Sequence, residues 1–260
     1  MSLEIINGLI IIYSCHKHKD TRMKKFKLSK NEYNGYKVFY VIGNPKINND
    51  YIFIDNLLML KCEDSYIHLL KKVVLSMDIL TRKYDIREGI IRCGDDLMFD
   101  EKRLKDFIKM VDKPRYIGRV WDLRKTYNFI PGNSMPNTFM YDYYKIHTED
   151  FKNKLHGLSN YNLDDIKKMS SVPKCAYCVG IIYFVSIDSV KVLIDHMKSI
   201  EYNIFKKDID TNCYTIEDIG VGYILNKNNI EPTHYHLYAE DNNTFKHYPL
   251  CFGIHTNYLK

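Results

Sequence analysis

A chain of 260 residues with 45% hydrophobic and 27% charged content can bury a substantial core and is too apolar for extended disorder. Its 38 basic and 32 acidic residues leave a net charge of +6, well short of a dedicated nucleic-acid binder but suited to an anionic small molecule. Seven cysteines, odd in number and too sparse for a disulfide scaffold, fit a reducing compartment.

The run NGLIIIYS, from Asn7 to Ser14, is β-branched and bounded by polar residues, as in a buried parallel strand. Its apolar core, Leu9 to Tyr13, is too short for a signal peptide or a membrane span, so a cytoplasmic protein without a membrane span is expected. YKVFYVIG (Tyr36 to Gly43) reads as a second strand, stopped by Asn44 and Pro45. Between Asp64 and Tyr84 the positions Ile67, Leu70, Val73, Val74, Met77 and Leu80 recur at helical steps, with Asp64 or Ser65 as the cap. GIIRC (Gly89 to Cys93) is the next strand. Leu104, Phe107, Ile108 and Val111 mark the helix after it.

RYIGRVW (Arg115 to Trp121) reads as a strand, followed to about Tyr144 by a long loop with Pro131, Gly132, Asn133 and Pro136. YCVGIIYFVS (Tyr177 to Ser186) is a further strand, leading into a helix with Val190, Leu193, Ile194 and Met197 on one face. TIEDIGVGYIL opens a helix at Thr215, where Asp218 three residues on resembles a capping box. Alternating strands and helices predict an α/β fold with a mixed, mostly parallel central sheet flanked by helices.

The chemistry gathers at IIRCGDDLMFD, residues 90 to 100, where Asp95 and Asp96 end an apolar strand. Open α/β sheets bind ligands at the carboxyl edge, and paired carboxylates there suit hard cations such as Mn²⁺ or Mg²⁺. A solvated turn capping the next helix would need the same residue types.

Four blocks, in order, resemble the β1,3-galactosyltransferase and fringe-like family of glycosyltransferases. DSYIHLLKK (residues 64 to 72) is similar to that family's D-S-Y-x-N-L-T-x-K segment, and GIIRCGDDLMF to its strand and D-D-D box. YCVGIIYFVS is similar to its Y-x-x-G-x-x-Y-x-x-S strand, and EDIGVGYIL (Glu217 to Leu225) to its E-D-V-x-x-G-x-x-L helix start. The resemblance implies a single GT-A-like domain over residues 1–260, its donor half about 1–120 and its acceptor half about 121–260. It implies a UDP-sugar donor, a divalent metal and inverting transfer to a hydroxyl of a glycan acceptor. Relatives in animals carry a Golgi anchor, so a viral or bacterial member without one is expected.

Carried over by position, Asp96 and His255 would bind the metal, with His247, His234 and His236 as further candidates. Asp95, Arg22 and Lys72 would serve the donor, and Asp218 would be the general base. Trp121, Tyr177, Gly180 and Glu217 would line the acceptor side. Gly94 stands where the family has its first aspartate. Lys17, Lys19, Lys24 and Lys25 around Arg22 would attract an anionic donor.

Other chemistries remain open. Cys175 and Cys178 with His234 and His236 have ligand types for zinc, as in a non-catalytic zinc-binding module. Asp95, Asp96 and Asp100 with the tail histidines suit a metal-dependent phosphohydrolase or nuclease. A glycan-binding protein descended from a transferase would retain the same blocks without activity.

Overall fold

The computed structural model describes residues 3–25, 27–126, 134–208 and 211–256. In chain order its main elements are β1 (Glu4–Tyr13), β2 (Tyr36–Gly43), β3 (Tyr51–Ile54), β4 (Leu57–Leu60), α1 (Leu69–Lys83), β5 (Tyr84–Gly94) and α2 (Glu101–Ile108). They continue with β6 (Tyr116–Asp122), β7 (Ala176–Ser186), α3 (Ile187–Ser199), α4 (Glu217–Lys227) and β8 (Thr233–His234).

The main sheet runs β8-β6-β7-β5-β1-β2-β4-β3, with the short strand Glu32–Tyr33 added against β2. The neighbours β5, β1, β2 and β4 are all parallel, and β8 is parallel to β6. Strand β7 is antiparallel to both β5 and β6, and β3 is antiparallel to β4. The fold is therefore mixed α/β with a mostly parallel sheet.

Strand β1 sits at the centre because its residues can be covered on both faces. Leu9, Ile11 and Tyr13 join one core with Val73 and Met77 of α1, Leu193 of α3 and Ile224 of α4. Ile10 and Ile12 point the other way, against Leu104 and Phe107 of α2 and Phe252. That two-residue alternation builds one hydrophobic core on each face. A small sheet of Leu97–Phe99, Gly253–His255 and Tyr238–Ala239 flanks the second core.

Several local expectations are corrected. Helix α1 begins at Leu69, because the Asp64 carboxylate accepts from the Gly43 and His16 amides instead of capping a helix. Ser65 is likewise paired with His68. Helix α2 stops at Ile108, and Val111 lies in the following turn, 82% exposed. Helix α4 begins at Glu217, and Thr215 pairs with Ser170 in a short 3₁₀ turn, so no capping box forms. The long loop before Tyr144 contains the helices Leu123–Thr126 and Phe139–Ile146, while Pro131, Gly132 and Asn133 lie outside the described residues. The hairpin β3–β4 has no counterpart among the expected elements. No described helix is long and apolar enough to cross a membrane.

Candidate functional site

Parallel strands β1, β2, β5 and β6 end at one edge, and antiparallel β7 begins there. Tyr13 is paired with Gly94, so Ser14, which follows β1, lies beside the acids that follow β5. Ser14 Oγ donates to Asp95 Oδ2 at 2.6 Å. Burial raises the Asp95 pKa, the Ser14 bond works against it, and the neighbouring Asp96 charge adds to it.

Asp96 is governed by His255 and Arg22. The chain tail returns antiparallel to Leu97–Phe99, with His255 opposite Leu97 and the Thr256 amide donating to the Asp96 carbonyl at 2.9 Å. This register sets His255 Nε2 3.0 Å from Asp96 Oδ2, and Arg22 Nη1 lies 3.9 Å from the same oxygen. Burial alone would raise the Asp96 pKa, but the His255 hydrogen bond, the His255 charge and Arg22 outweigh it and leave it lowered. Gly94 matters sterically here. A Cβ on it would stand 2.8 Å from Asp96 Oδ1, so a side chain there would push the carboxylate aside.

Lys72 is buried, 3% exposed, with Nζ 2.8 Å from Asp64 Oδ1 and 2.7 Å from the Ser14 carbonyl. It braces the ends of β1 and β2 from α1. Breaking such a buried pair from one side would cost about 3–5 kcal/mol.

One strand over, β7 carries Gly180, whose amide donates to Asp218 Oδ2 at 2.9 Å. The Ile219 amide, in the first turn of α4, donates to Oδ1 at 2.9 Å. Both oxygens keep lone pairs for another donor. Burial raises the Asp218 pKa, and the Gly180 and Ile219 bonds and Arg92 only partly offset this. Its neighbour Glu217 faces inward, 4% exposed, with Arg92 Nη2 3.1 Å from Oε2 and the Tyr183 hydroxyl 2.5 Å from Oε1.

Trp121 and Tyr177 are register partners on β6 and β7 at the same edge, with Trp121 48% exposed. The Gly180 backbone is packed so closely that a Cβ there would stand 2.9 Å from Glu217 Oε2 and 3.2 Å from Asp218 Cβ. The edge thus gathers Arg22, Asp95, Asp96, His255, Gly180, Asp218, Trp121 and Tyr177, while Lys72 and Glu217 lie beneath it.

Sequence reasoning passed over Tyr66 and Arg92. Tyr66 is 45% exposed and contacts the rings of Phe139 and Tyr143, at centroid distances of 6.0 and 5.5 Å. Its hydroxyl pKa is raised first by lost hydration and then by the Asp218 charge. Arg92 had a visible signal, a single charge inside the apolar strand IIRC, which must find a buried partner.

The four-ligand zinc arrangement is not formed. Among the described residues no group of three or more His, Cys, Asp or Glu is placed to hold a metal ion. His234 Nδ1 accepts from the Val120 amide, so its proton sits on Nε2, which faces His236 Nε2 at 3.1 Å. Burial pushes the Cys175 thiol up to about 12 and raises that of Cys178 as well, as for ordinary buried thiols. Asp100 is occupied as the cap of α2, accepting from the Lys102 and Arg103 amides at 3.0 Å each. No protein-family model and no curated protein matches this chain.

Proposed function

We propose that this chain is a GT-A-like, metal-dependent inverting glycosyltransferase, a hexosyltransferase moving a sugar from a UDP-sugar to a hydroxyl of a glycan or glycoconjugate. The observation that carries the proposal is the division of labour at one sheet edge. Asp96 shares its oxygen with His255 and Arg22, while Asp218, a strand away, is held by backbone amides alone. The four sequence blocks and the mostly parallel sheet support the same reading.

A carboxylate oxygen and an imidazole nitrogen fit Mn²⁺ or Mg²⁺ when substrate phosphate and water complete the shell. When bound, such an ion offsets the charge on the departing diphosphate. Asp96 and His255 would hold it, and Asp95, steadied by Ser14, would back the donor site. Arg22 would offer its guanidinium to a phosphate oxygen. Lys72, in this proposal, serves the donor indirectly by fixing the two strand ends.

On the acceptor side, Trp121 and Tyr177 would present ring surface to a sugar, and Gly180 permits close approach. The acceptor hydroxyl oxygen bonds to the anomeric carbon as that carbon's bond to the diphosphate oxygen breaks. Asp218 takes the hydroxyl proton, and the bonding pair leaves with the diphosphate. Attack opposite the leaving group inverts the anomeric centre.

A panel of UDP-sugars, assayed for Mn²⁺-dependent binding and slow hydrolysis, tests the proposal and identifies the donor. Absence of any nucleotide-sugar binding would remove the function while leaving the fold intact.

A further inference from the structure

The mechanism above leaves one buried cluster unused. Arg92, 3% exposed, lies on β5 directly opposite Tyr183 of β7, with its guanidinium carbon 5.5 Å from the Tyr13 ring centroid and 5.7 Å from that of Tyr183. Tyr13 is itself tethered to Ser76 of α1 at 2.6 Å. From this slot Arg92 Nη1 donates to the Gly180 carbonyl, and Nη2 pairs with Glu217 at 3.1 Å. Tyr183 holds the other Glu217 oxygen. Gly180 is thus gripped at its carbonyl by Arg92 while its amide grips Asp218, and Glu217 ties the first turn of α4 to the same guanidinium.

We infer that Arg92 and Glu217 form a positioning pair that fixes the Asp218 carboxylate by tying the Gly180 carbonyl and the α4 start to β5. The inference rests on the proposed base role of Asp218, because a carboxylate that takes a proton in the transition state must be held in place beforehand. The pair reaches both segments that carry Asp218's hydrogen-bond donors, Gly180 through its carbonyl and the α4 start through Glu217. Uncompensated, either charge would be costly in this dry site, whereas removing both together and filling the space with apolar groups is tolerated. The double variant Arg92→Met/Glu217→Met therefore separates positioning from stability.

The experiment uses the full chain with Mn²⁺, the UDP-sugar that the panel identifies, and a set of methyl glycosides as acceptor probes. The double variant is expected to fold cooperatively, with turnover down about 100-fold and both KM values within about twofold of wild type. In parallel, the Gly180 amide proton is followed by NMR across a pH titration, without substrates. In wild type it should move as Asp218 ionises, and in the double variant most of that movement should vanish. Groups facing Asp218 that could also titrate are Glu217, Tyr66, Tyr116, Cys175 and Cys178, so Asp218→Asn serves as the control for assigning the shift.

Wild-type turnover and an unchanged Gly180 titration in the double variant would overturn the inference. If the double variant does not fold, Glu217→Gln decides in the same way, with an expected drop of about tenfold and the same loss of Gly180 movement. Failure of the base role reads differently. Asp218→Asn would then transfer normally, while the Gly180 titration still reports whether Arg92 and Glu217 hold that carboxylate.

Discussion

Two pairs of adjacent acids, Asp95-Asp96 after β5 and Glu217-Asp218 at the start of α4, solve a similar problem with different partners. In each pair one carboxylate is buried and the other is half-buried and opens toward the sheet edge. Ser14 binds Asp95, and Arg92 with Tyr183 binds Glu217. The edge members then diverge. Asp96 meets His255 and Arg22 and is held below the ordinary carboxylate range, whereas Asp218 meets backbone amides and is raised by burial. A carboxylate kept ionised by a hydrogen bond and a nearby guanidinium suits a metal ligand, and one that binds a proton more readily suits a base. The acids are similar in sequence, and their neighbours set the role of each.

The largest expected effect breaks the acceptor side alone. Asp218→Asn should lower transfer by about 10³-fold while leaving Mn²⁺-dependent UDP binding within about twofold. Calorimetry and a transfer assay check both halves, and unchanged transfer would remove the assigned base.

The mirror-image change should break the donor side. His255→Ala is expected to weaken Mn²⁺-dependent UDP binding by about 10–100-fold, comparable to losing a supporting group in a metal site. Equal UDP affinity with and without His255, measured at saturating Mn²⁺ and at limiting Mn²⁺, would argue against its place beside the ion.

Gly180→Ala tests how tightly the second pair is packed. Its Cβ would meet Glu217 Oε2 and Asp218 Cβ at 2.9 and 3.2 Å, so a loss of about 1–3 kcal/mol in stability and reduced turnover are expected. Thermal unfolding at matched pH is the measurement. A fully stable and active alanine variant would contradict the close packing.

The pH responses of the two edge acids should run in opposite directions. For Asp96, whose folded pKa is depressed, the contribution to stability is complete above the ordinary carboxylate value of about 4 and is lost as pH falls through the lower folded value. Asp218, with a raised folded pKa, favours folding most at low pH and progressively less as pH climbs through that raised value. On the proposed reading, in which transfer uses ionised Asp218 as base, transfer should fail on the acid side above the ordinary aspartate range. Comparing Tm against pH for Asp96→Asn and Asp218→Asn separates the two contributions, and parallel profiles would erase the contrast.

Smallest is Ser14→Ala, which removes one hydrogen bond to Asp95 and should cost about 1 kcal/mol. An unchanged unfolding midpoint would mean that water replaces the hydroxyl.

Local spacing was enough to locate the strands around Ile10, Val38, Ile91 and Phe184 and the helices around Val73 and Leu193, since periodicity is a local property of a covered face. It also marked Asp95 and Asp96, because acids at the end of an apolar run stand out, whereas Asp218 was pointed to only by the resemblance of EDIGVGYIL to a family block. The antiparallel run of β7, the burial of Lys72 and Glu217 and the start of α4 without a Thr215 cap were settled by long-range packing instead. Those outcomes depend on partners 40 or more residues away: Ser170 for Thr215, Ser14 for Lys72, Arg92 for Glu217. A charged side chain's role is set by whichever opposite charge or hydrogen-bonding group packs against it, and one-dimensional spacing carries no record of that neighbour.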